Sequence, residues 1–466
     1  MPEVLSTRRG LVQAGVLGAF GLSLPEVLRA AAVPGRALPA AKSCILFFLE
    51  GGPAQQDLWD LKPQAPLIVR GEFQPIATTV PGIEVCDQLP LLAQQMHRVA
   101  LIRSVHHDIV DHNAGTYYAL TGRSPVSGGR LIVRDDSSNF PSIGSVLARN
   151  RPLPDLPEFV QIPEILFNNG SDLPGQRSGF LGAGCDPLVS GDPSVPDYQI
   201  PGLLFPDGLS QSRLTGRREL LEALNGLPLA AGSSSALSEH HQKAFSLLGA
   251  ARTREAFDVS RESVRIRERY GLPDRLDRTI EARQFGGLPH LGQCLLLSRR
   301  LVEAGVRLVT VATGRRSDQT WDGHREHFAM LRKSILPWFD RAFSALLQDL
   351  DERGLLSETL VVAMGEFGRT PKVGQITSSA GATPAGRDHW PHCYTILMAG
   401  AGIRRGTVYG SSDSFAAYPA SHPVTPADIA ATIYHILGLD PRQTIRDSLN
   451  RPHQLALGEP ILSLLD

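Results

Sequence analysis

The sequence predicts an α/β fold, a mainly parallel sheet covered by helices on both faces, and three observations predict it. Short apolar runs that read as buried strands alternate with segments of helical periodicity. Four of the runs are followed at once by acids and histidines. No internal repeat has the length of a solenoid or propeller unit. In an open parallel sheet, ligands bind beyond the carboxyl ends of the strands, so residues hundreds of positions apart can meet there.

Ser6-Thr7-Arg8-Arg9-Gly10-Leu11 opens the chain with a twin arginine before an apolar stretch, Leu11 to Leu24, and Ala30-Ala31-Ala32 offers a small-residue cleavage site. The stretch is too short and too Gly-rich for a secure membrane span. The reading is a twin-arginine signal peptide over 1–32, a Pro/Ala/Gly-rich linker over 33–41 and a single domain over 42–466. The expected location is periplasmic or secreted, after export in folded form.

The four strand-like runs that carry site-type residues behind them are Cys44–Glu50, Val99–Ser104, Val306–Thr313 and Thr359–Gly365; Glu158–Ile162 and Tyr394–Ala399 are two more candidates. From about 213 to 283 the chain is charged, with apolar residues at helical spacing between Ala244 and Val264, and reads as a helical insertion beside the sheet. Phe328 to Leu350 repeats apolar residues every three or four positions and ends ahead of Gly354. Thr425-Pro426-Ala427-Asp428 is a helix start: a hydroxyl cap, proline at the first position and an acid in the first turn.

Of 466 residues, 42% are hydrophobic, which is enough for a sizeable core. Lys and Arg total 46 against 47 Asp and Glu, so no basic field argues for nucleic acid and no polybasic tail for a membrane surface. The five cysteines are widely spaced, without a Cys-x-x-Cys pair, and read as small buried hydrophobes; one disulfide is open to them, and spacing does not choose it.

The chemistry-bearing residues sit behind the strands. Trp321-Asp322-Gly323-His324 offers a carboxylate and an imidazole, with His327 one turn on as the alternative nitrogen. Such ligands suit zinc, manganese or iron better than calcium; the cofactor expected is a divalent metal, with zinc, manganese and calcium as candidates. His389, in Gly386-Arg387-Asp388-His389-Trp390 ahead of the last strand, could complete the site, with Arg387 and Asp388 orienting it. Glu366 is an oxygen ligand or general base, and Arg369 a fixed fork for a sulfate- or phosphate-like oxyanion; a plain Glu366–Arg369 ion pair at a turn is the alternative. Asp57 is a ligand or a helix cap, and Glu50 is the nearer acid. His106-His107-Asp108 through Asp111-His112-Asn113 is the densest cluster, able to bind metal, orient water or hydrogen-bond a substrate oxygen. Trp59, Trp321 and Trp390 adjoin these motifs, either as walls of a substrate cleft or as anchors of the loops.

Taken together, the leader, Leu49 to Asp57, Trp321 to His324, Gly365 to Pro371 and Gly386 to Trp390 resemble the secreted sulfatase-like family catalogued as domain of unknown function 1501. The resemblance implies an alkaline phosphatase-like fold, a three-layer sandwich with a divalent-metal site at the strand ends. Leu120-Thr121-Gly122-Arg123 looks like the end of the sulfatase signature, but His112 and Asn113 stand where that signature has its nucleophilic cysteine or serine. Glu366-Phe367 replaces the superfamily's usual Asp-His pair.

The function expected is metal-dependent hydrolysis of sulfate or phosphate esters. The candidates are His112, Asn113, Glu366 and Arg369 in catalysis, His106, His107, Arg369, Arg387 and Trp321 at the substrate, and Asp57, Asp322, His324, Glu366 and His389 at the metal. The partner is an anionic ester or polysaccharide, without nucleic acid and without a stable membrane span after signal cleavage. The rival is a non-catalytic, metal-containing scaffold that holds anionic polysaccharide at the cell envelope.

Overall fold

A computed structural model describes residues 41–200, 211–225, 244–245, 247–248, 250–272, 288–314 and 320–466. The expected leader and all but the last residue of the expected linker lie outside the described residues. So does much of the expected insertion, whose described part holds helices at Gln211–Asn225, Ala251–Phe257 and Val264–Tyr270.

The central sheet has eight strands. In chain order they are β1 (Ser43–Phe48), β2 (Val99–Val105), β3 (Phe159–Ile162), β4 (Leu188–Val189), β5 (Leu308–Ala312), β6 (Thr359–Met364), β7 (Tyr394–Ala399) and β8 (Thr407–Tyr409). Across the sheet they stand β4-β3-β5-β1-β6-β7-β2-β8. Every strand runs the same way except β7, which is antiparallel to both β6 and β2. β1 is central, its Ile45 opposite Val309 on one side and Val361 on the other.

Alternation along β1 builds two cores. Ile45 and Phe47 point into one, Cys44, Leu46 and Phe48 into the other. Five helices cover the faces: α1 (His112–Thr121), α2 (Ile143–Asn150), α3 (Leu291–Ala304), α4 (Leu336–Glu352) and α5 (Pro426–Ile436). Leu295 and Leu301 of α3 and Phe339 and Phe343 of α4 fill the first core, and Leu120 of α1, Val146 of α2 and Ile433 of α5 the second. The architecture is therefore the three-layer α/β sandwich that the alkaline phosphatase-like resemblance implies.

Two helices show how sequence sets their ends. Thr425 caps α5 through a reciprocal box: Asp428 N donates to Thr425 Oγ1 at 3.3 Å, and Thr425 N to Asp428 Oδ2 at 2.8 Å. The helix expected over Phe328 to Leu350 forms in three pieces, an α-turn at His327–Met330, a π-turn at Leu331–Ile335 and then α4. Pro337 has no N–H to return to the preceding turn, and the wider π-turn absorbs the mismatch. Among the described residues no helix is long and apolar enough to cross a membrane. All five cysteines are buried and free.

Candidate metal centre

The carboxyl ends of β1, β2, β5 and β6 deliver their loops to one edge of the sheet, and the reversal of β7 delivers the residues just before it to the same edge. His389 therefore reaches the site directly, through a two-residue ladder in which Gly368–Arg369 pairs with His389–Trp390. His112 arrives as the first residue of α1, whose cap, Asp111, accepts from Ala114 N at 2.9 Å. Asp322 and His324 come from the loop after β5. Gly51 makes room for that loop: its φ is +105°, and a Cβ there would meet Asp322 N at 2.5 Å.

His112, Asp322, His324 and His389 converge so that one ligand atom from each lies within 4.8 Å of all the others. Asp322 Oδ1 stands 2.8 Å from His324 Nε2 and 3.4 Å from His389 Nε2, and Asp322 Oδ2 stands 3.3 Å from His112 Nε2. His324 Nε2 and His389 Nε2 are 2.9 Å apart. Donors held roughly 2.0–2.1 Å from a tetrahedral zinc stand about 3.3 Å from one another, so the spacing is that of a ligand set.

The hydrogen bonds behind the rings fix what faces inward. His324 Nδ1 donates to Gly381 O, and His389 Nδ1 donates to Val110 O at 2.7 Å. Carbonyl oxygens only accept, so each Nδ1 carries a proton and each Nε2 is turned into the cluster, where Arg369 Nη1 also stands 3.4 Å from His324 Nε2. Burial pushes His389 down to about 4, so its ring is neutral at pH 7. The two Nε2 atoms, 2.9 Å apart with Asp322 Oδ1 2.8 Å from that of His324, need a positive centre between them, a shared proton or a cation. His112 has the same polarity: Nδ1 lies 2.5 Å from Glu366 Oε1, while the buried Nε2 has no hydrogen-bond partner. Three imidazoles with Nδ1 tied back and Nε2 exposed to one carboxylate are what a first-row divalent cation requires.

The electrostatics without metal are those of a charged cage. Burial opposes the Asp322 carboxylate, but Arg369 and His112 outweigh it and hold the group well below the usual range. Burial also opposes a charge on His112, yet Asp322 and Glu366 beside it push the ring up to about 9. Phe367, fully buried, packs against His112 and His389 at ring-centroid distances of 4.9 and 4.8 Å.

Several expected site residues are placed elsewhere. Asp57 is outside the cluster: its carboxylate takes two bonds from Arg387, at 2.7 and 2.8 Å, and stands 2.9 Å from His327 Nε2, all three side chains being buried. That also removes His327 as the alternative to His324. Glu366 lies behind His112 and accepts from Gly51 N at 2.9 Å, so it supports a ligand instead of being one. Arg369 is fully buried and committed: Nε donates to Gly52 O at 3.0 Å, Nη1 to Arg387 O at 3.2 Å, and Nη2 to Gly51 O and Asp322 Oδ1. Arg387 is likewise spent on Asp57 and on the carbonyls of Val69, Thr370 and Pro371. Neither arginine has a fork left for an oxyanion.

His107 is buried as well, its Nε2 donating to Glu366 O at 2.7 Å and its Nδ1 accepting from Ile109 N at 3.0 Å; burial pushes it down to about 4. His106, half-buried, enters only through its backbone N, which donates to Val424 O at 2.8 Å. Trp321 is in the core, edge-on to Phe339 at 5.4 Å, and Trp59 is buried against the same ring, so these tryptophans anchor loops and do not wall a cleft. Thr116, the nearest hydroxyl downstream of His112, is fully buried.

A cleft of about 710 Å³ opens onto the cluster, with Asn168 and Asn169 among its lining on one side and Thr377 to Ala380 on the other. Sequence reasoning missed the two carbonyls that orient His324 and His389; backbone acceptors leave no side-chain signal. It also missed that Asp388 holds this wall of the cleft, accepting from Thr377 N at 2.7 Å and Ser378 N at 2.8 Å.

Fold and site together define a three-layer α/β protein with a His₃Asp metal-type centre at the strand ends of a mainly parallel sheet. The chain belongs to the family described as protein of unknown function DUF1501, which it matches over residues 41–465. No curated protein matches it. Among solved structures it is similar to Ps i-CgsB (11% identity, 85% of this chain and 72% of that one, TM-score 0.38). It is also similar to the PsFucS1 sulfatase from Pseudoalteromonas sp. (12%, 88% and 70%, TM-score 0.36). A third likeness is to the alkaline phosphatase from the Antarctic bacterium TAB5 (12%, 79% and 94%, TM-score 0.32). At these scores no residue role passes from those proteins to this chain.

Proposed function

We propose that this chain is a metal-dependent hydrolase of sulfate or phosphate esters, exported in folded form to the periplasm or beyond by its twin-arginine leader. The observation that carries the reading is the convergence of His112, Asp322, His324 and His389, with three imidazole Nε2 atoms and one carboxylate aimed at a single point beside an open cleft. A divalent cation held there supplies positive charge for the ester oxyanion and acidifies a water for attack.

The chain's own residues prepare that site. Glu366 holds the Nδ1 proton of His112, Gly381 O and Val110 O do the same for His324 and His389, and Arg369 balances the charge of Asp322. With Arg369 and Arg387 committed to structure, a cation at the four ligands would have to supply the charge for an oxyanion, and the cleft's polar rim its hydrogen bonds. The same commitment, together with the buried Thr116, favours a second reading, a metal-containing scaffold that binds anionic polysaccharide without turnover.

The test is metal analysis of protein purified without chelators, followed by a screen of aryl sulfates, phosphomonoesters and phosphodiesters with the metal found. One equivalent of metal and turnover of one ester class are expected, both lost in His324→Ala while circular dichroism is unchanged. A fully metallated protein that turns over none of these esters overturns the hydrolase reading and leaves the scaffold.

A further inference from the structure

A second cleft, of about 610 Å³, lies beside the first. Tyr117, Arg123, Arg134, Phe140, Phe180 and Arg451 are among its lining. Asn113 forms the partition: its Nδ2 donates to Val133 O at 2.8 Å, on the second cleft, and its Oδ1 accepts from Asn168 Nδ2 at 2.9 Å, on the first. Helix α1 runs along both, with His112 in its first turn and Tyr117 five residues later, roughly 7.5 Å along the axis.

Arg123 is the unusual group. It follows Gly122, which closes α1, and its guanidinium lies 4.0 Å from the centroid of the Phe140 ring. Its Nε and Nη2 are buried and make no hydrogen bond. Among the described residues neither Arg123 nor the exposed Arg134 has a carboxylate partner, whereas Arg451 is paired with Asp447 at 2.6 Å and so is His453 at 3.1 Å. Arg123 is half-buried, and the edge of its guanidinium that is removed from water without acceptors is costly, a cost that a ring face repays only in part. The fork of an arginine matches two oxygens of a tetrahedral oxyanion. Tyr117, Phe140 and Phe180 add apolar ring surface of the kind that packs on sugar faces.

We propose that this cleft holds a second sulfate or phosphate group of an anionic oligosaccharide, with Arg123 as its main anchor. Resting on the hydrolase reading, the same chain would present its scissile ester at the His112, Asp322, His324 and His389 cluster. Two anionic groups on one ligand then bind as linked sites, and affinity rises with chain length in a way that a single site cannot reproduce.

Calorimetry with sulfated dextran disaccharides and hexasaccharides, and with the phosphorylated series of the same lengths, tests this on the full-length protein. In one of the two series the hexasaccharide is expected to bind at least about tenfold more tightly than the disaccharide. That series names the group. Arg123→Gln should bring the ratio below about threefold, and Arg134→Gln, at an exposed position whose replacement does not threaten folding, should lower it in the same direction. In His324→Ala, which leaves only the second cleft, the ratio is expected to fall as well, while the loss of hexasaccharide affinity on adding Arg123→Gln persists and shows the cleft to be real whether or not any ester is turned over. No length preference in either series, or an unchanged preference in folded Arg123→Gln and Arg134→Gln, overturns the proposal.

Discussion

Glu366 stands one bond behind the centre, and its removal tests whether the centre is a metal site at all. In Glu366→Gln the acceptor for the His112 Nδ1 proton weakens while all four ligand side chains remain. Metal affinity should fall about 10- to 100-fold with the fold intact, as seen when outer partners of ligating histidines are lost. Titration against a metal indicator measures it; unchanged affinity would mean that His112 is not a ligand. Proton counting gives a second check. The ring of His112 is held at about 9 without metal and must be neutral to ligate. Metal binding at pH 7.5 should therefore release about one proton from it, with affinity rising about tenfold per pH unit until it levels near 9. In chelated protein the sign follows from a folded value above the ordinary 6.5. His112 stabilises fully below that pH, and its contribution disappears as pH rises through about 9. Thermal melts of chelated wild type and His112→Gln across this range should converge at the alkaline end.

The residue scale is also where the sequence was least legible. Asp322 and His324 can be singled out because they lie on the loop behind an apolar run, and His389 because it stands just ahead of another. Asp57, Glu366, Arg369 and Arg387 carry the same outward signal but lie inside, paired with one another or with ligands. Residue type and spacing do not separate a metal-binding carboxylate from one neutralised by a buried guanidinium, because the distinction is made by partners hundreds of positions away.

At the scale of elements, the strands were plain because a strand buried on both faces must be largely apolar, and β1, β5 and β6 are, with Ser43, Thr310 and Thr359 as their only hydroxyl residues. The start of α5 was equally plain, and its cap has a measurable worth. Thr425→Ala removes one half of the box and should cost about 1 kcal/mol in chemical denaturation. What hydropathy cannot encode is strand direction. β7 reads like its neighbours, and only the sheet pairing shows that its amino end, with His389 just before it, faces the metal centre. The π-turn ahead of α4 was likewise hidden within an otherwise regular helical pattern, with Pro337 as its one local sign.

For the whole molecule, the centre ties together loops from β1, β2, β5 and β6 and the approach to β7, so occupancy of the centre should be felt by the entire fold. A cation that binds only the native state stabilises it by about 2.7 kcal/mol at one hundred times its dissociation constant. Melting temperature should accordingly rise with added metal, drop on chelation, and become insensitive to both in Asp322→Asn. A melting point that ignores metal in the wild type would contradict the centre described here.

Reversal of β7 also governs how the protein can vary. The run from Glu366 to Cys393 departs and comes home on one edge of the sheet, so its length is independent of strand register. Side chains between Gln375 and Ala380 can be exchanged while Glu366 and His389 stay where two strand ends put them, provided Thr377 N and Ser378 N still reach Asp388 and Gly381 O still reaches His324. The side chains of the cleft wall and the four candidate ligands thereby occupy different positions of the chain, so the wall's surface can change while the ligands keep their places.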